Sequence, residues 1–244
     1  MPATIGGCIS LINLSINGNC LTTIPVEIGN LKSLTYLYAF QNKLTSIPSS
    51  LGQLTKLEVL FLEDNRISKF PDGLSNLKSL VSLNLGGDSL SQFPEFIKGL
   101  SNLQSLEIKF SKIRKVPDFI CGLTNLQELR LWDNEITELP DCIGQVKTMT
   151  SLSLMNNKLT TIPLGVFKLK NLETLSLSGN PIVDIPDEIE NLKKLKSLNI
   201  QLTSLSAERV EEIKKKVPKK CKVLFEVEMI NMDNMIPLEN LIGK

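Results

Sequence analysis

The sequence predicts an α/β solenoid: a curved stack of short units with a parallel sheet on its concave side, 3₁₀ or extended segments on its convex side, and a C-terminal helix-strand cap. Nine of the twelve prolines, from Pro2 to Pro186, are spaced by 23 residues without an insertion or deletion. Leucine accounts for 42 of the 244 residues and recurs in columns of the same period. Such a period indicates repeats that bury their apolar sides only by stacking on one another.

Each unit divides into a strand, a turn and a return segment. In the second full unit, the alternation around Leu37 predicts a short strand with one buried face. The Ile47-Pro48 pair then predicts an extended or 3₁₀ return, because proline lacks an N–H and fixes its own φ. Nine such units run from Leu11 through Leu195, and their strands together predict one parallel sheet.

An asparagine follows the strand in most units, where the chain must turn. Its amide can both donate to and accept from main-chain groups that a hydrophobic side chain would leave unpaired. Six units carry it and three depart from it: Asn19, Asn42, Asn65, Asn134, Asn157 and Asn180, against Asp88, Ser111 and Thr203. We expect slightly looser packing in the three units that lack the amide.

The motif L-x-x-L-x-L-x-x-N-x-L, with some aliphatic replacements, stands at residues 34–44, 57–67, 126–136, 149–159 and 172–182. On these motifs the chain resembles the leucine-rich repeat family over about residues 1–205. The 23-residue length and the Ile-Pro-x-x-Ile-Gly-x-Leu half most resemble the intracellular Ras-suppressor type; plant intracellular and bacterial members have similar repeats. The resemblance implies a concave sheet that holds a protein partner, and the partners it suggests are a small GTPase, a kinase or a phosphatase.

Residues 206–228 predict a C-terminal cap, and residues 229–244 form a separate apolar tail. Ser206 is a suitable helix N-cap, apolar residues recur at helical spacing up to Val217, and Pro218 stops the helix. Residues 221–227 then predict one more strand. One interpretation of the tail is an apolar strap packed on the cap. The other is the start of a further domain, because residues 236–244 resemble the strand that enters the glycine-rich loop of a protein kinase.

The N-terminal residues align with the second half of a repeat, because Met1-Pro2 corresponds to Ile24-Pro25. We therefore expect an uncapped first unit. Two interpretations follow: the chain is a fragment of a longer array, or its open apolar end is covered by another protein or a second copy, which predicts self-association.

Composition argues against several function classes. The chain contains no histidine, which removes the commonest general base and metal ligand. Its net charge of +1, with basic residues that look scattered, disfavours nucleic acid, and its longest apolar runs are too short to span a membrane. The five cysteines are odd in number and far apart, so we expect reduced thiols in a cytoplasmic protein, without a disulfide or zinc site. No enzyme activity, metal or cofactor is expected.

The outward positions of each strand lie just before the central leucine, just after it, and two residues further on. They carry both tyrosines and the only tryptophan of the chain. Outward positions have no folding need for aromatic rings, whereas binding hot spots are enriched in Trp, Tyr and Arg. The predicted protein-binding residues are an aromatic patch, Tyr36, Tyr38, Phe40, Val59 and Phe61 with Glu63 at its border, and a mixed patch, Glu107, Lys109, Arg130, Trp132 and Met155.

Each patch also has an explanation that needs no partner. The rings of the aromatic patch could stack across strands to stabilise an exposed sheet, and the opposite charges of the mixed patch could pair with each other. We predict a non-catalytic interaction module, an intracellular signalling adaptor or scaffold. The alternatives are a targeting arm of a larger, kinase-like signalling enzyme and, third, a surface or secreted adhesin.

Overall fold

A computed structural model describes residues 1–87 and 90–225, which form one sheet of ten parallel strands in chain order. The predicted leucine-rich solenoid with a C-terminal helix and strand is confirmed. The strands are β1 (Asn13–Ser15), β2 (Tyr36–Tyr38), β3 (Val59–Phe61), β4 (Ser82–Gly86), β5 (Ser105–Lys109), β6 (Glu128–Arg130), β7 (Ser151–Ser153), β8 (Thr174–Ser176), β9 (Ser197–Asn199) and β10 (Lys222–Leu224).

The return segments are short 3₁₀ turns, as the Ile-Pro pairs predict. They span Ala3–Gly7, Val26–Asn30, Ser49–Gln53, Asp72–Asn76, Glu95–Gly99, Asp118–Gly122, Asp141–Gln145, Val166–Lys168 and Asp187–Asn191. A proline directly precedes all of them except Val166–Lys168, which follows Gly165. The proline suits this place because the first N–H of a helical turn has no partner within the turn.

The strand register reproduces the 23-residue period between consecutive units. Leu37 pairs with Leu14 on one side and with Leu60 on the other, and the same column continues to Leu198. From Leu37 onward these central leucines are buried, while their neighbours in the strand are partly exposed, except for the buried Ser176 of β8. The core is therefore a set of leucine and isoleucine columns between the sheet and the returns.

The asparagine column forms a buried hydrogen-bond ladder between successive units. The Asn157 side-chain oxygen accepts from the Ile136 N–H at 2.9 Å, and its amide nitrogen donates to the Leu131 and Leu154 carbonyls at 2.8 and 3.0 Å. Asn42, Asn134 and Asn180 repeat the pattern. Ser111 replaces it with one local bond to the Lys109 carbonyl at 3.1 Å, and Asp88 lies outside the described residues.

Replacing Asn157 with alanine should lower the free energy of unfolding by about 3 kcal/mol, because it leaves the buried Ile136 N–H without a partner and takes one of two amide donors from the Leu131 and Leu154 carbonyls. The melting temperature should then fall by about 10 °C. Asn19→Ala is the matched control, since Asn19 is exposed and bonds only within its own turn. Equal losses in the two variants, measured by thermal and urea unfolding, would show that the ladder contributes no special stability.

The C-terminal cap begins with helix α1 (Ala207–Lys216), and Ser206 is its N-cap, accepting from the Arg209 N–H at 3.2 Å. Arg209 fixes this helix to the last return. Its guanidinium lies 2.7 Å from Asp184, 2.9 Å from Asp187 and 2.6 Å from Glu212. Strand β10 then adds to β9. Residues 226–228 of the predicted cap and the whole 229–244 tail lie outside the described residues, and the predicted domain boundaries stay predictions.

The first unit has a more exposed apolar side than the later ones. Leu11 and Leu14 are only partly buried, and Ile9 and Ile12 are 63% and 58% exposed. The equivalent leucines of the next unit, Leu34 and Leu37, are buried because a unit lies on each side of them. Among the described residues, no helix is both long and apolar enough to cross a membrane.

The expectation that all cysteines are reduced is wrong, because Cys121 and Cys142 form a disulfide with their Cα atoms 5.7 Å apart. They lie 21 residues apart, two less than the repeat period. This spacing places them diagonally on consecutive 3₁₀ returns, Asp118–Gly122 and Asp141–Gln145. The absence of a local C-x-x-C motif therefore did not exclude a disulfide, since the solenoid brings one turn next to the following one. Cys8, Cys20 and Cys221 are free.

Alkylation of the denatured protein should label three cysteines without reductant and five after reduction, as counted by intact mass. The chain-entropy model gives a disulfide closing such a loop about 3 kcal/mol of stabilisation. Reduction should thus lower the melting temperature, and Cys8→Ser, which removes an exposed free thiol, should not. Five labelled cysteines in aerobically prepared, unreduced protein would contradict the disulfide.

Candidate functional site

The predicted binding residues all lie on the outward face of the sheet, which we call the concave face. They stand on β2, β3, β5 and β6 or two residues beyond the ends of β2, β3, β6 and β7. Ten of the eleven are partly buried, as expected for side chains that stand beside each other on a strand surface. Glu63 differs, since only 8% of it is exposed.

The aromatic patch is continuous across β2 and β3. Tyr36 pairs with Val59 and Tyr38 with Phe61 in the parallel register. The Tyr38 and Phe61 rings meet edge to face with centroids 5.4 Å apart. The cross-strand stacking explanation therefore holds for this ring pair. Both residues keep partly exposed surface, so they form a rigid apolar platform.

The mixed patch is neutralised by ion pairs along each strand rather than between strands. Glu107 and Lys109 pair at 3.0 Å, with each side chain only 18% exposed. Glu128 and Arg130 of the next strand pair at 2.8 Å and are more exposed. The Lys109 amine also lies 5.2 Å from the centroid of the Trp132 ring, a cation–π distance. Pairing within each strand therefore explains the presence of these four charges without a binding partner.

Phe110 belongs to the same surface and was missed by the sequence analysis. It is 50% exposed, and its ring meets Trp132 edge to face with centroids 4.8 Å apart. The residue before each ladder position adopts a left-handed backbone, and Phe110 has φ of 49°. This conformation costs a bulky residue about 1–2 kcal/mol. Other units carry residues such as Asp64 and Gly87 at the equivalent position. A phenylalanine there was therefore the sequence signal that could have revealed this part of the surface.

Among the described residues of the concave face, Glu63 is the one buried carboxylate. Its Oε2 atom has no hydrogen-bond partner and almost no contact with solvent. Burial raises the pKa of Glu63, and the nearby charges of Glu107 and Asp64 add to the increase. A hydrogen bond from its own main-chain N–H and the positive charge of Lys109 oppose it. An ionised carboxylate at this place therefore reduces the stability of the fold.

We predict that Glu63→Gln stabilises the protein by about 1 kcal/mol near pH 7.5, because it removes a partly unpaired buried charge. The folded-state pKa is raised, so the folded state binds more protons than the unfolded state between the two pKa values, and wild-type stability falls as pH rises through that interval. The advantage of the variant should thus shrink towards about pH 4.

Urea unfolding of both proteins across this pH range measures the difference directly. Glu58→Gln is the matched control, since Glu58 is exposed and lies on the same unit. A stability difference between wild type and Glu63→Gln that does not change with pH would contradict the buried carboxylate.

The basic residues are not evenly scattered, contrary to the sequence analysis. Nine lysines lie between residues 193 and 222. Lys193, Lys194, Lys219 and Lys220 line one depression beside the cap, together with Pro218. Some of these charges are paired, as in the 2.7 Å contact of Lys196 with Glu173. The charge is concentrated because the cap helix and β10 fold back onto the last unit.

The described residues contain no cluster of three or more cysteine and acidic side chains placed to hold a metal ion. A stacked array with a rigid aromatic and charged strand face defines a repeat protein of the interaction-module class. The sequence matches the family model described as leucine-rich repeat region over residues 3–118 and 95–235. The chain belongs to the leucine-rich repeat family. Members of the family and neighbours of this fold are typically non-catalytic interaction modules.

Solved structures share the fold over nearly the whole chain. The leucine-rich repeat ectodomain of the Arabidopsis thaliana membrane receptor kinase GASSHO1/SCHENGEN3, in complex with CASPARIAN STRIP INTEGRITY FACTOR 2, is 28% identical with a TM-score of 0.78, over 92% of this chain and 28% of that one. The functional domain of InlJ from Listeria monocytogenes, which includes a cysteine ladder, is 23% identical with a TM-score of 0.74, over 91% and 45%.

The internalin InlF from Listeria monocytogenes is 24% identical with a TM-score of 0.61, over 92% of this chain and 76% of that one. This chain thus spans under half of the InlJ domain and of the plant ectodomain. No curated protein matches the sequence.

Proposed function

We propose that the concave face binds an extended segment of a protein partner, with the aromatic patch as its main anchor. One observation carries the proposal: both tyrosines and the only tryptophan lie at outward strand positions, where folding does not require them. The Tyr38–Phe61 platform is already rigid, so little side-chain entropy is lost on binding. Aromatic anchors of this kind often contribute about 2 kcal/mol or more each.

The mixed patch is proposed as the second contact of the same partner. Its charges are already paired in the free protein, so the apolar surface of Phe110, Trp132 and Met155 is the part with most to gain from a partner. The outward positions of β7 to β9 carry mainly serine, threonine and asparagine, and we assign them no anchor. The proposed surface therefore runs across β2 to β6 and ends at Met155.

The variant Tyr38→Ala with Phe61→Ala should weaken partner binding by about 100-fold or more. Peptides selected from a random display library on the immobilised wild-type protein supply the ligand, and their affinities for both proteins are measured by biolayer interferometry. The melting temperature should fall, because the ring pair is lost, but both proteins should remain folded at the assay temperature since these side chains are partly exposed.

The matched control is Thr174→Ala with Ser197→Ala, which alters outward positions on β8 and β9 without removing a ring. It should keep wild-type affinity. Selected peptides that bind the aromatic double variant as tightly as the wild type would refute the aromatic patch as the anchor.

We further propose an intracellular signalling adaptor of the Ras-suppressor-like type, whose partner is a small GTPase, a kinase or a phosphatase. This role and the subtype rest on the resemblance of the repeat sequence alone, and the cytoplasmic location rests on the odd, widely spaced cysteines of the sequence. The alternatives, a targeting arm of a larger kinase-like enzyme and a surface or secreted protein, use the same concave face.

The Cys121–Cys142 disulfide offers a discriminating measurement, because disulfides persist in oxidising compartments and are rare in the cytosol. Rapid acid quenching and alkylation of the native cells would give reduced Cys121 and Cys142 for a cytoplasmic adaptor. An oxidised pair would favour the exported alternative. Reading the genomic frame on both sides of the coding segment tests the targeting-arm alternative.

Self-association through the first unit is also a proposal. The exposed Ile9 and Ile12 and the partly buried Leu14 form its apolar end. Light scattering that shows a monomer of the 244-residue chain at micromolar concentration would contradict it.

A further inference from the structure

The C-terminal end of the solenoid carries a large excess of positive charge. Residues 193–222 contain ten basic and three acidic side chains, a net charge of +7. The other 214 residues contain 17 basic and 23 acidic side chains, a net charge of −6. The total of +1 is therefore the sum of two opposite charges that occupy different parts of the chain.

The fold brings five of these lysines together in one open depression of about 510 Å³ beside the cap. They are Lys193, Lys194, Lys196, Lys219 and Lys220, and all five are exposed. The one carboxylate in its lining, Glu173, is already paired with Lys196 at 2.7 Å. We call this site the lysine depression; its lining side chains carry a net charge of +4.

Lysines at the equivalent place of earlier units have a structural explanation. The amines of Lys32 and Lys78 donate to main-chain carbonyls of the following return at 3.4 and 2.7 Å. Lys193 stands at the same repeat position, but no 3₁₀ return follows its unit in the described chain. Within the residues that the structure describes, the side chains of Lys193, Lys219 and Lys220 have no ion pair or hydrogen bond. The fold therefore does not require these three charges.

Two other structural explanations apply to different lysines of this end. A lysine on an edge strand discourages pairing with other chains, which explains Lys222 on β10. Cations in the last turn of a helix interact favourably with its dipole, which explains residues 214–216 of α1. Lys193, Lys219 and Lys220 lie outside every strand and helix, so neither explanation covers them.

We propose that the lysine depression docks the cap end of the solenoid on a membrane surface rich in anionic phospholipids. Lysine ammonium groups attract phosphate as point charges, whereas arginine recognises carboxylate and phosphate in bidentate pairs. The one arginine of this end, Arg209, already contacts three carboxylates of the fold. Clusters of about four to eight basic residues are typical of surfaces that bind anionic lipids.

The charge distribution favours a planar surface over an acidic protein segment or a nucleic acid. The lysines gather at one end of the solenoid rather than along a groove that could hold an extended chain. The lining of the depression contains no aromatic ring on which a base could stack. The exposed carboxylates nearest in sequence, Glu188 and Glu190, stand on the last 3₁₀ return and do not line the depression.

The negative body of the chain opposes such docking only weakly. Neighbouring strands are about 4.8 Å apart, and the Debye length at physiological salt is about 8 Å. Units more than about two strands from the cap thus lie beyond one Debye length of a surface that is approached end-on. The proposed partner surface on β2 to β6 also stays free, so docking would bring a bound partner to the membrane without competing with it.

The test measures co-sedimentation of the full chain with vesicles at about 0.15 M salt. Wild type should bind vesicles of phosphatidylcholine with about 30% phosphatidylserine, and should not bind phosphatidylcholine alone. The variant Lys193→Gln with Lys219→Gln and Lys220→Gln should bind about 100-fold more weakly, because each lysine near an anionic surface contributes about fivefold. It should stay folded, since no contact is lost, and its melting curve is recorded alongside.

The matched control is Lys43→Gln with Lys56→Gln and Lys112→Gln. These lysines are exposed and lie on other units, so this variant loses the same charge at a different place. It should bind the anionic vesicles like wild type. Equal losses in the two triple variants would overturn the inference, because total charge rather than the depression would then determine binding.

A poly-glutamate peptide serves as a second probe. Wild type that binds this peptide through Lys193, Lys219 and Lys220 but ignores the anionic vesicles would refute membrane docking and indicate an acidic protein partner. Equal binding to neutral and anionic vesicles would also refute it. Selection of peptides on the concave face is independent of these outcomes, so the proposed function is tested separately.

Discussion

Every turn of this solenoid has to satisfy the main chain where it leaves the sheet, and in most turns a single side-chain amide does so. One buried asparagine contacts main-chain groups of its own turn and of the turn before it. The bonded positions are separated by 21 and 26 residues, so the geometry holds only if each unit has the same length. The unbroken 23-residue period, the parallel register and the alignment of outward residues all follow from this requirement.

In two of the three units that lack the amide, the strand is longer; β9, which precedes Thr203, keeps three residues. Asp88 and Ser111 stand at the ladder positions after β4 and β5, and these two strands have five residues each, whereas the others have three. Their register extends through Leu85–Ile108 and Gly86–Lys109. Main-chain pairing thus supplies between these units part of what the amide supplies elsewhere.

Repeat positions could be predicted from the sequence because each is constrained by contacts that recur in every unit. The central leucines, the proline-led 3₁₀ turns, the ladder asparagines and the outward location of Tyr38 and Trp132 are of this kind. The binding role of the two patches is a prediction that only a partner can test. The N-cap at Ser206 was equally predictable, since capping depends on local sequence.

What the sequence did not reveal depends on contacts between particular units. The Cys121–Cys142 bond joins positions that differ in their place within the repeat, so no column contains both. Glu63 is buried although it stands at an outward position, and the ring contact of Phe110 depends on Trp132 one unit later. The repeat period predicts only what all units have in common. The disulfide, the burial of Glu63 and the ring contact of Phe110 arise where individual units differ, so the period does not predict them.

Gly86 has φ of 123°, and a Cβ atom added there would lie 2.0 Å from the Lys109 carbonyl oxygen. A side chain is therefore excluded at that position for two separate steric reasons. Only glycine fits at position 86 while the backbone keeps this path. This part of the concave face therefore keeps its backbone shape as long as the fold is kept, whereas the side chains around it can change.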